Sequence, residues 1–459
     1  MEQFQGKGIV VVGLSTEGQD AFRFFLSHNL NVIGADRRDE QTFFQAYPAL
    51  LQYKSQLSLG TTYLSRLKDA DIIVRTPGMA LSTPELQEAE KAGKTITSNT
   101  KIFFSLCKAP IIGVTGTKGK GTTSTLIYEM LKKSGKHAYL GGNVGTPLLG
   151  VVDKILPSDW VVLELSSFQL EDLEMSPHIA VVLMVTQEHL ANFDPLATNF
   201  HISREAYVAA KKNIVSHQKE TDTAVVYADN ESSLSFASST PAKILTYGTG
   251  SGVNARIDKG NVSLLIENTP YGIAGLRSMK LRGSHNLENI AAASLAAYAA
   301  HVSIQDIQTV AQNFQGLPFR LETAGVKQGV TYINDSFSTT PETTIAAIHA
   351  FTDPIIVILG GSEKGSDFTE MGKAIAKSTV KKVIVIGQMT ERIIASLQKG
   401  GFQGEILSGL TTMHDMVVTA SHMAKSGYVV LLSPACASFG LFKNYKERGI
   451  QFMYEVSRL

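Results

Sequence analysis

Residues 113–124 read GVTGTKGKGTTS, a run of glycines, hydroxyls and two lysines set on the end of the apolar stretch APII. This composition suits one chemistry, the holding of a phosphate chain. Gly116, Gly119 and Gly121 let the backbone turn its N–H groups inward around an anion. A helix that follows adds its positive end. Lys120 supplies a mobile charge for β- and γ-phosphates, and Thr122 is the nearest hydroxyl that could hold Mg2+. The common spacing G-x-x-x-x-G-K-[ST] is departed from twice. Val114 stands at the place of the first glycine and Gly121 at that of the hydroxyl. A plain polar turn is the other reading of the segment taken alone. Glu164 also asks for a reason, because it ends the apolar run WVVLEL; a solvated strand end is its ordinary explanation.

The elements around the loop suit a phosphate site. APIIGV is a buried strand by composition, and TTSTLIYEMLKKSG is an amphipathic helix with Leu126, Ile127, Met130 and Leu131 on one face and Gly135 as its stop. Near the start, Ile9–Val12 reads as a strand, Gly13 and Gly18 bracket a turn, and Ala21, Phe24, Phe25 and His28 lie near helical spacing. A second strand then ends at Asp36, which completes a Rossmann-like order. Only two glycines are present where G-x-G-x-x-G is needed, so a nucleotide other than a nicotinamide cofactor is favoured at these strand ends. ADIIVRTPGMA is a further strand whose Thr-Pro-Gly turn puts Gly78 at the same edge, an ordinary β-turn being the alternative.

The chain has 459 residues, which predicts about three domains, each able to bury its own core. Hydrophobic residues at 44% and charged residues at 18% are those of a globular protein. A net charge of +1 gives no reason to expect nucleic acid or a membrane surface as partner. Cys107 and Cys436 are far apart, which predicts no disulfide framework and fits a reducing cytosol. The opening MEQFQGKG lacks a leader pattern, and no apolar run approaches the ~20 residues of a membrane helix. No membrane insertion is expected. FQGLPFR (314–320) carries the Gly and Pro of a linker.

TGTKGKGTT resembles the ATP loop of the Mur ligase superfamily, which includes the folylpolyglutamate synthetases. Further segments match in family order: GGNVG (141–145), VLELSSFQLE (162–171), VTQEHL (185–190), EAYVAAKKNI (205–214), GSHNLENIAAA (283–293), GLPFRLE (316–322), YINDSFSTTP (332–341), GGSEKGSDF (360–368) and LSPACASFGLFKNYKERGIQF (432–452). The resemblance implies an α/β fold of three domains. Residues 1–108 would be an N-terminal Rossmann-like domain for the UDP end of a substrate. Residues 109–316 would be a central P-loop ATPase on a mostly parallel sheet. Residues 317–459 would be a C-terminal Rossmann-like domain that brings an amino acid. ELSSFQLE and SPACAS…FKN point to the branch that adds D-glutamate to UDP-N-acetylmuramoyl-L-alanine with ATP, through an acyl phosphate, in cytoplasmic peptidoglycan precursor synthesis. A monomer is expected. The alternatives are a related ligase with another acceptor or amino acid, and a non-catalytic UDP-sugar binder with a silent ATP site.

The resemblance also implies residue roles. Gly116, Thr117, Lys118, Gly119, Lys120, Gly121 and Thr122 would wrap the ATP phosphates. Thr122 and Glu164 would hold one Mg2+. His189 would hold a second, alongside Lys211 carbamylated by CO2; Lys120, His189 and Lys211 are the expected catalytic set. A carbamate has a physical motive there, since it replaces an ammonium that would repel the metal with two anionic oxygens. His285, Asn286 and Asn289 would lie near the nucleotide, Asn289 at the adenine, while Arg320 and Asp335 would meet phosphate and ribose on domain closure. Asn143 would touch the muramoyl part or its phosphates. Thr339, Lys364, Ser438, Phe439 and Tyr445 would serve D-glutamate, and Ser15, Thr16, Asp36, Arg37 and Gly78 the UDP end. The sequence departs from the family pattern at Phe337, where Lys is usual, and at Phe319, where His is frequent. Residues 96–104 lack an acidic pattern often found near the domain junction, and the interval from His189 to Lys211 is longer by several residues.

Overall fold

The computed structural model describes residues 1–143, 146–186, 199–363 and 366–459. Among them lie three α/β sheets, each built from short runs of β-branched residues that alternate with helices. The first sheet takes β1 (Ile9–Val12), β2 (Val32–Asp36), β3 (Leu57–Leu59), β4 (Ile72–Arg75) and β5 (Thr95–Ser98) in the order β3-β2-β1-β4-β5, all parallel. Chain order reverses between β1 and β4, which opens a crevice at their carboxyl ends.

The second sheet holds β6 (Ile111–Thr115), β7 (Ala138–Gly142), β8 (Trp160–Glu164), β9 (Ile179–Val182), β10 (Thr223–Tyr227), β11 (Lys243–Gly248), β12 (Ala255–Asp258), β13 (Asn261–Ile266) and β14 (Thr269–Gly275). Its order is β14-β13-β12-β11-β10-β9-β6-β8-β7, parallel from β7 through β12 and antiparallel in the two pairings β12–β13 and β13–β14. The third sheet, β15 (Glu322–Lys327), β16 (Val330–Asn334), β17 (Ile355–Gly360), β18 (Val380–Ile386), β19 (Glu405–Ser408) and β20 (Val429–Leu432), runs β15-β16-β20-β17-β18-β19 with only β15 antiparallel.

Parallel strands covered on both faces read as continuous apolar runs. In β17, Ile355, Val357 and Leu359 enter one core while Ile356 and Ile358 enter another. The first two sheets share a core in which Val11, Phe22 and Phe25 join Ile111, Leu149 and Leu163. Accordingly Met1–Met279 with Ser284–Asn313 form one compact unit, and Lys280–Gly283 with Phe314–Leu459 form a second. Both cysteines are free thiols. Among the described residues no helix is long and apolar enough to cross a membrane.

Two boundaries differ from the sequence expectation. The helix after β6 runs Lys120–Lys133, so Lys120 is its first residue rather than part of the preceding loop. The helix after β1 runs Thr16–Ser27, so Gly18 lies inside it instead of closing a turn. Its lack of a side chain serves close packing: a Cβ there would lie 1.8 Å from the Gly13 carbonyl oxygen. Gly135 differs, with φ of 80° and nothing within 4 Å of an added Cβ. Gly18→Ala is therefore expected to cost about 2–4 kcal/mol in denaturant unfolding, whereas Gly135→Ala should cost about 1 kcal/mol, the strain of its backbone alone.

Candidate active site

β6 delivers the chain into a turn through Gly116 (φ 147°) and Gly119 (φ 86°). Neither position has room for a side chain. A Cβ at Gly116 would lie 2.6 Å from Leu183 Cβ, and one at Gly119 would lie 2.3 Å from Asn289 Oδ1. Polar contacts then fix the loop. Thr117 N–H donates to the Met184 carbonyl at 2.8 Å, and Thr186 N–H donates to Thr117 Oγ1 at 2.9 Å. The Tyr207 hydroxyl lies 3.0 Å from Thr117 Oγ1. Lys118 is exposed.

Two cations converge on this loop. Lys120 Nζ donates to the carbonyls of Gly116 (3.0 Å) and Thr117 (3.1 Å). Lys211 Nζ, from the helix Arg204–Ser216, donates to the same Gly116 carbonyl at 3.0 Å. Lys211 is only 1% exposed and lies over the Tyr207 ring at 4.7 Å, with Thr115 Oγ1 at 3.5 Å. Its neighbour Lys212 is not buried. Of the adjacent pair, Lys211 is the one turned into the site.

β8 lies beside β6 with Glu164 opposite Val114, which places a buried carboxylate next to the loop. Asn143 N–H donates to the Glu164 carbonyl at 2.8 Å, and its Nδ2 donates to Glu164 Oε1 at 3.2 Å. Gly142 allows this approach, since a Cβ there would lie 2.2 Å from the Glu164 carbonyl oxygen. Thr122 is buried in the first turn of the following helix. A hydroxyl and a carboxylate are hard oxygen donors of the kind Mg2+ takes, with phosphate and water oxygens completing the shell. Among the described residues no three His, Cys, Asp or Glu side chains converge to cage a metal by themselves. His189 lies outside the described residues.

Asn289, expected near the nucleotide, comes to the same loop. It sits on the helix Asn286–Ala299, which His285 precedes. Thr123 Oγ1 donates to Asn289 Oδ1 at 3.2 Å, and Asn289 Nδ2 donates to Asn286 Oδ1 at 2.7 Å. Asn289 stands against Gly119 of the turn, and Asn286 holds Asn289 in place.

At the β1/β4 crevice, Ser15 and Thr16 are exposed at a helix start, and Gly78 is exposed beyond β4. Thr76 Oγ1 ties the two strand ends together through the Val12 carbonyl at 3.1 Å. Arg37 faces solvent, but Asp36 turns inward. It accepts from Leu14 N–H at 2.8 Å and from Arg38 Nε and Nη2 at 2.8 and 2.7 Å. Burial pushes this carboxyl up, but the Arg38 hydrogen bonds outweigh it and hold the group below the usual carboxylate range. Asp36 thus braces the turn, and Arg38, which nothing in the sequence singled out, is its partner.

In the second unit Arg320 sits between two residues in the left-handed region, Phe319 (φ 64°) and Leu321 (φ 46°). Its guanidinium lies over the Phe337 ring at 4.5 Å. Phe337 and Phe319 both stand edge-on to Tyr445, at 5.1 and 6.1 Å. The two atypical phenylalanines therefore form one aromatic cluster that seats Arg320. Asp335 accepts from Leu321 N–H at 3.1 Å and from Ser433 Oγ at 2.7 Å, and it is 1% exposed. Both its oxygens are thus engaged within this unit. Ser438 is buried, Thr339 partly so, and Phe439 is exposed. Arg448, missed from sequence, is fully buried and joins two motif loops: it donates to Ser336 Oγ and O at 2.9 Å and to the Cys436 carbonyl at 3.3 Å. An arginine beside Gly449 in a helix that buries Phe452 was the available signal. Lys364 lies outside the described residues.

Comparison with known proteins places this arrangement. Three family models match: the Mur ligase middle domain over 114–297, the Mur ligase glutamate ligase domain over 319–436, and the Mur ligase MurD-like N-terminal domain over 7–98. The chain belongs to the Mur ligase family. It is 35% identical to the UDP-N-acetylmuramoylalanine–D-glutamate ligase of Ruminiclostridium cellulolyticum, covering 100% of this chain and 99% of the relative. It is also 35% identical to the protein of the same name from Symbiobacterium thermophilum, covering 98% and 97%. Among solved structures the fold resembles the UDP-N-acetylmuramate-alanine ligase MurC of Thermotoga maritima, with a TM-score of 0.60 at 17% identity over 98% of this chain and 99% of that one. The MurF ligase of the same organism, solved with ADP, gives 0.55 at 17% identity over 98% and 96%.

Burial pushes the Asp335 carboxyl up to about 6, against the hydrogen bonds that favour its ionised form. A raised carboxyl binds its proton more tightly folded than unfolded, so its contribution to stability is lost as pH rises from about 4 through 6. Asp335→Asn removes this titration and should flatten the pH dependence of stability between about pH 4 and pH 7, whatever its amide costs against the Leu321 and Ser433 donors. Denaturant unfolding at the two pH values measures it.

Proposed function

We propose that this protein is an ATP-dependent ligase that joins D-glutamate to UDP-N-acetylmuramoyl-L-alanine, releasing ADP and phosphate, as a monomer in cytoplasmic peptidoglycan precursor synthesis. One observation carries the reading. The glycine loop 116–122, with Lys120, Lys211 and Glu164 gathered on it, occurs in a chain aligned end to end with relatives named for that reaction.

The chemistry follows from the acceptor. A carboxylate in neutral water is anionic and offers an amine no leaving group. Its oxygen instead attacks the γ-phosphorus of ATP, and the bond to the bridging β–γ oxygen breaks, giving an acyl phosphate and ADP. The D-glutamate amine then attacks the acyl carbon, phosphate departs, and the amine's proton passes to solvent or a base. The γ-phosphate meets an anion in the first step, so charge must be neutralised on several sides at once.

Lys120 suits this task because its ammonium already lies on the loop carbonyls and needs only a side-chain rotation to reach a phosphate. Thr122 and Glu164 would hold Mg2+, which when bound neutralises phosphate charge. His189 and a carbamylated Lys211 would serve a second ion. The carbamate forms when the neutral Lys211 amine attacks CO2 and releases a proton. Residues 1–108, 109–316 and 317–459 would take the UDP end, the ATP and the amino acid respectively. Arg320, seated on Phe337, would meet nucleotide phosphate, and Thr339, Lys364, Ser438, Phe439 and Tyr445 would serve D-glutamate.

A coupled phosphate-release assay with UDP-N-acetylmuramoyl-L-alanine across amino acids should respond to D-glutamate. Release with a dihydropteroate acceptor instead, or binding without any release, would overturn the reading. Lys211→Ala should lower kcat about 100-fold with the fold intact and recover part of it in short carboxylic acids, whereas Lys212→Ala should stay within about 3-fold of the parent. Near-normal turnover by Lys211→Ala at limiting Mg2+ would remove the carbamate from the account.

A further inference from the structure

Glu17 has a role in none of the assignments above. It is the second residue of the helix Thr16–Ser27, one position beyond the exposed Ser15–Thr16 start. From sequence it is an ordinary first-turn acid that complements a helix dipole. In the structure it reaches across the junction of the first two sheets, where its Oε1 accepts from Gln169 Nε2 at 2.6 Å. Gln169 cannot turn away. Its own Oε1 accepts from Ser166 N–H at 2.9 Å in a capping box, which leaves the amide donors aimed at Glu17. Asn99 completes the junction, donating to the Glu17 carbonyl and to Asp20 Oδ2, both at 3.2 Å.

A cavity of about 20 Å3 lies at this junction, lined by Glu17, Thr100, Gly142, Leu163 and Gln169 among others. Glu17 thus stands between the helix start at the β1/β4 crevice and the Gly142–Asn143 turn. We propose that Glu17 is a positioning residue for the nucleotide-sugar acceptor: it locks Gln169 across the junction, and its charge sets how tightly the acceptor's diphosphate seats at the start of the helix Thr16–Ser27. The inference rests on the proposed UDP-linked acceptor.

The physical reason is competition for one positive helix end. An ionised Glu17 already occupies the first turn that an incoming diphosphate would use, and the two anions repel. A protonated Glu17 keeps its place beside Gln169 without that repulsion. Burial pushes the Glu17 carboxyl up to about 7; Asp20 on its own helix pushes the same way, while the Gln169 hydrogen bond and Arg75 of β4 oppose them. The other elements at the cavity present Asn99, Thr100, Gly142, Pro147, Leu148, Leu163 and Leu165, which carry no charge. Acceptor binding should therefore weaken as pH rises through neutrality.

The test is calorimetric titration of the full chain with UDP-N-acetylmuramoyl-L-alanine, for the parent and Glu17→Gln, at about pH 6 and about pH 8.5. The parent's Kd should rise about 3- to 10-fold more than that of Glu17→Gln across this range, a difference of the size one screened charge pair gives. Glu17→Ala, which loses the Gln169 bond as well, should bind more weakly than Glu17→Gln at both pH values. A purely structural role would shift Glu17→Gln equally at both, and parallel pH dependences in parent and Glu17→Gln would overturn the inference alone. No binding of the acceptor by the parent at either pH would overturn the functional reading, and this inference with it.

Discussion

The whole site depends on one tight turn. Between β6 and the helix Lys120–Lys133 the chain passes through Gly116 and Gly119 with φ of 147° and 86°, against neighbours that leave no room for a Cβ. Leu183 presses on one glycine and Asn289 on the other. Several of the expected site residues of the first unit gather on this turn. Tyr207 and Lys211 reach it from one helix, Asn289 stands against it from another, and Glu164 stands beside it because β8 pairs with β6. A looser turn would leave these groups on separate elements with no shared target.

The turn also explains where the charges sit. A buried ammonium is costly unless it is hydrogen-bonded, and backbone carbonyls are the partners a polar loop has in excess. Lys120 and Lys211 both lie on the Gly116 carbonyl, so the loop gathers two amines at one point, one for phosphate charge and one for the proposed carbamate. The second unit uses the same economy differently. Arg448 is buried and spends its donors on Ser336 and Cys436, and this fixes two motif loops relative to each other. Asp335 is spent on Leu321 and Ser433. Arg320 lies over the Phe337 ring, an aromatic face that seats its guanidinium.

Much of this was legible in the sequence because it is local. The glycine loop, its flanking strand and helix, and the acid at the end of β8 all follow from residue type and spacing. The adjacent lysines of EAYVAAKKNI required structure to separate, since only the helix's rotation turns Lys211 inward and leaves Lys212 outside. Helix starts moved for a similar reason: Gly18 reads as a turn residue, yet it is a packing glycine set against Gly13. Asp36 ends a strand at the β1/β4 crevice, and its bonds to Arg38 and Leu14 are a pairing that no pattern in ADRRD announces. Phe319, Phe337 and Tyr445 are 18 and 108 residues apart along the chain, so their contact, and the seat it makes for Arg320, had no sequence signal.

The central claim is that the loop serves the phosphorylation of a carboxylate. It is tested most directly by isotope transfer. With both oxygens of the L-alanyl carboxylate of UDP-N-acetylmuramoyl-L-alanine labelled with oxygen-18, one complete turnover with ATP and D-glutamate should place one labelled oxygen in the released phosphate and leave the other in the new amide. Mass spectrometry of the phosphate reads this outcome. Phosphate free of label, with amide formed, would contradict the account.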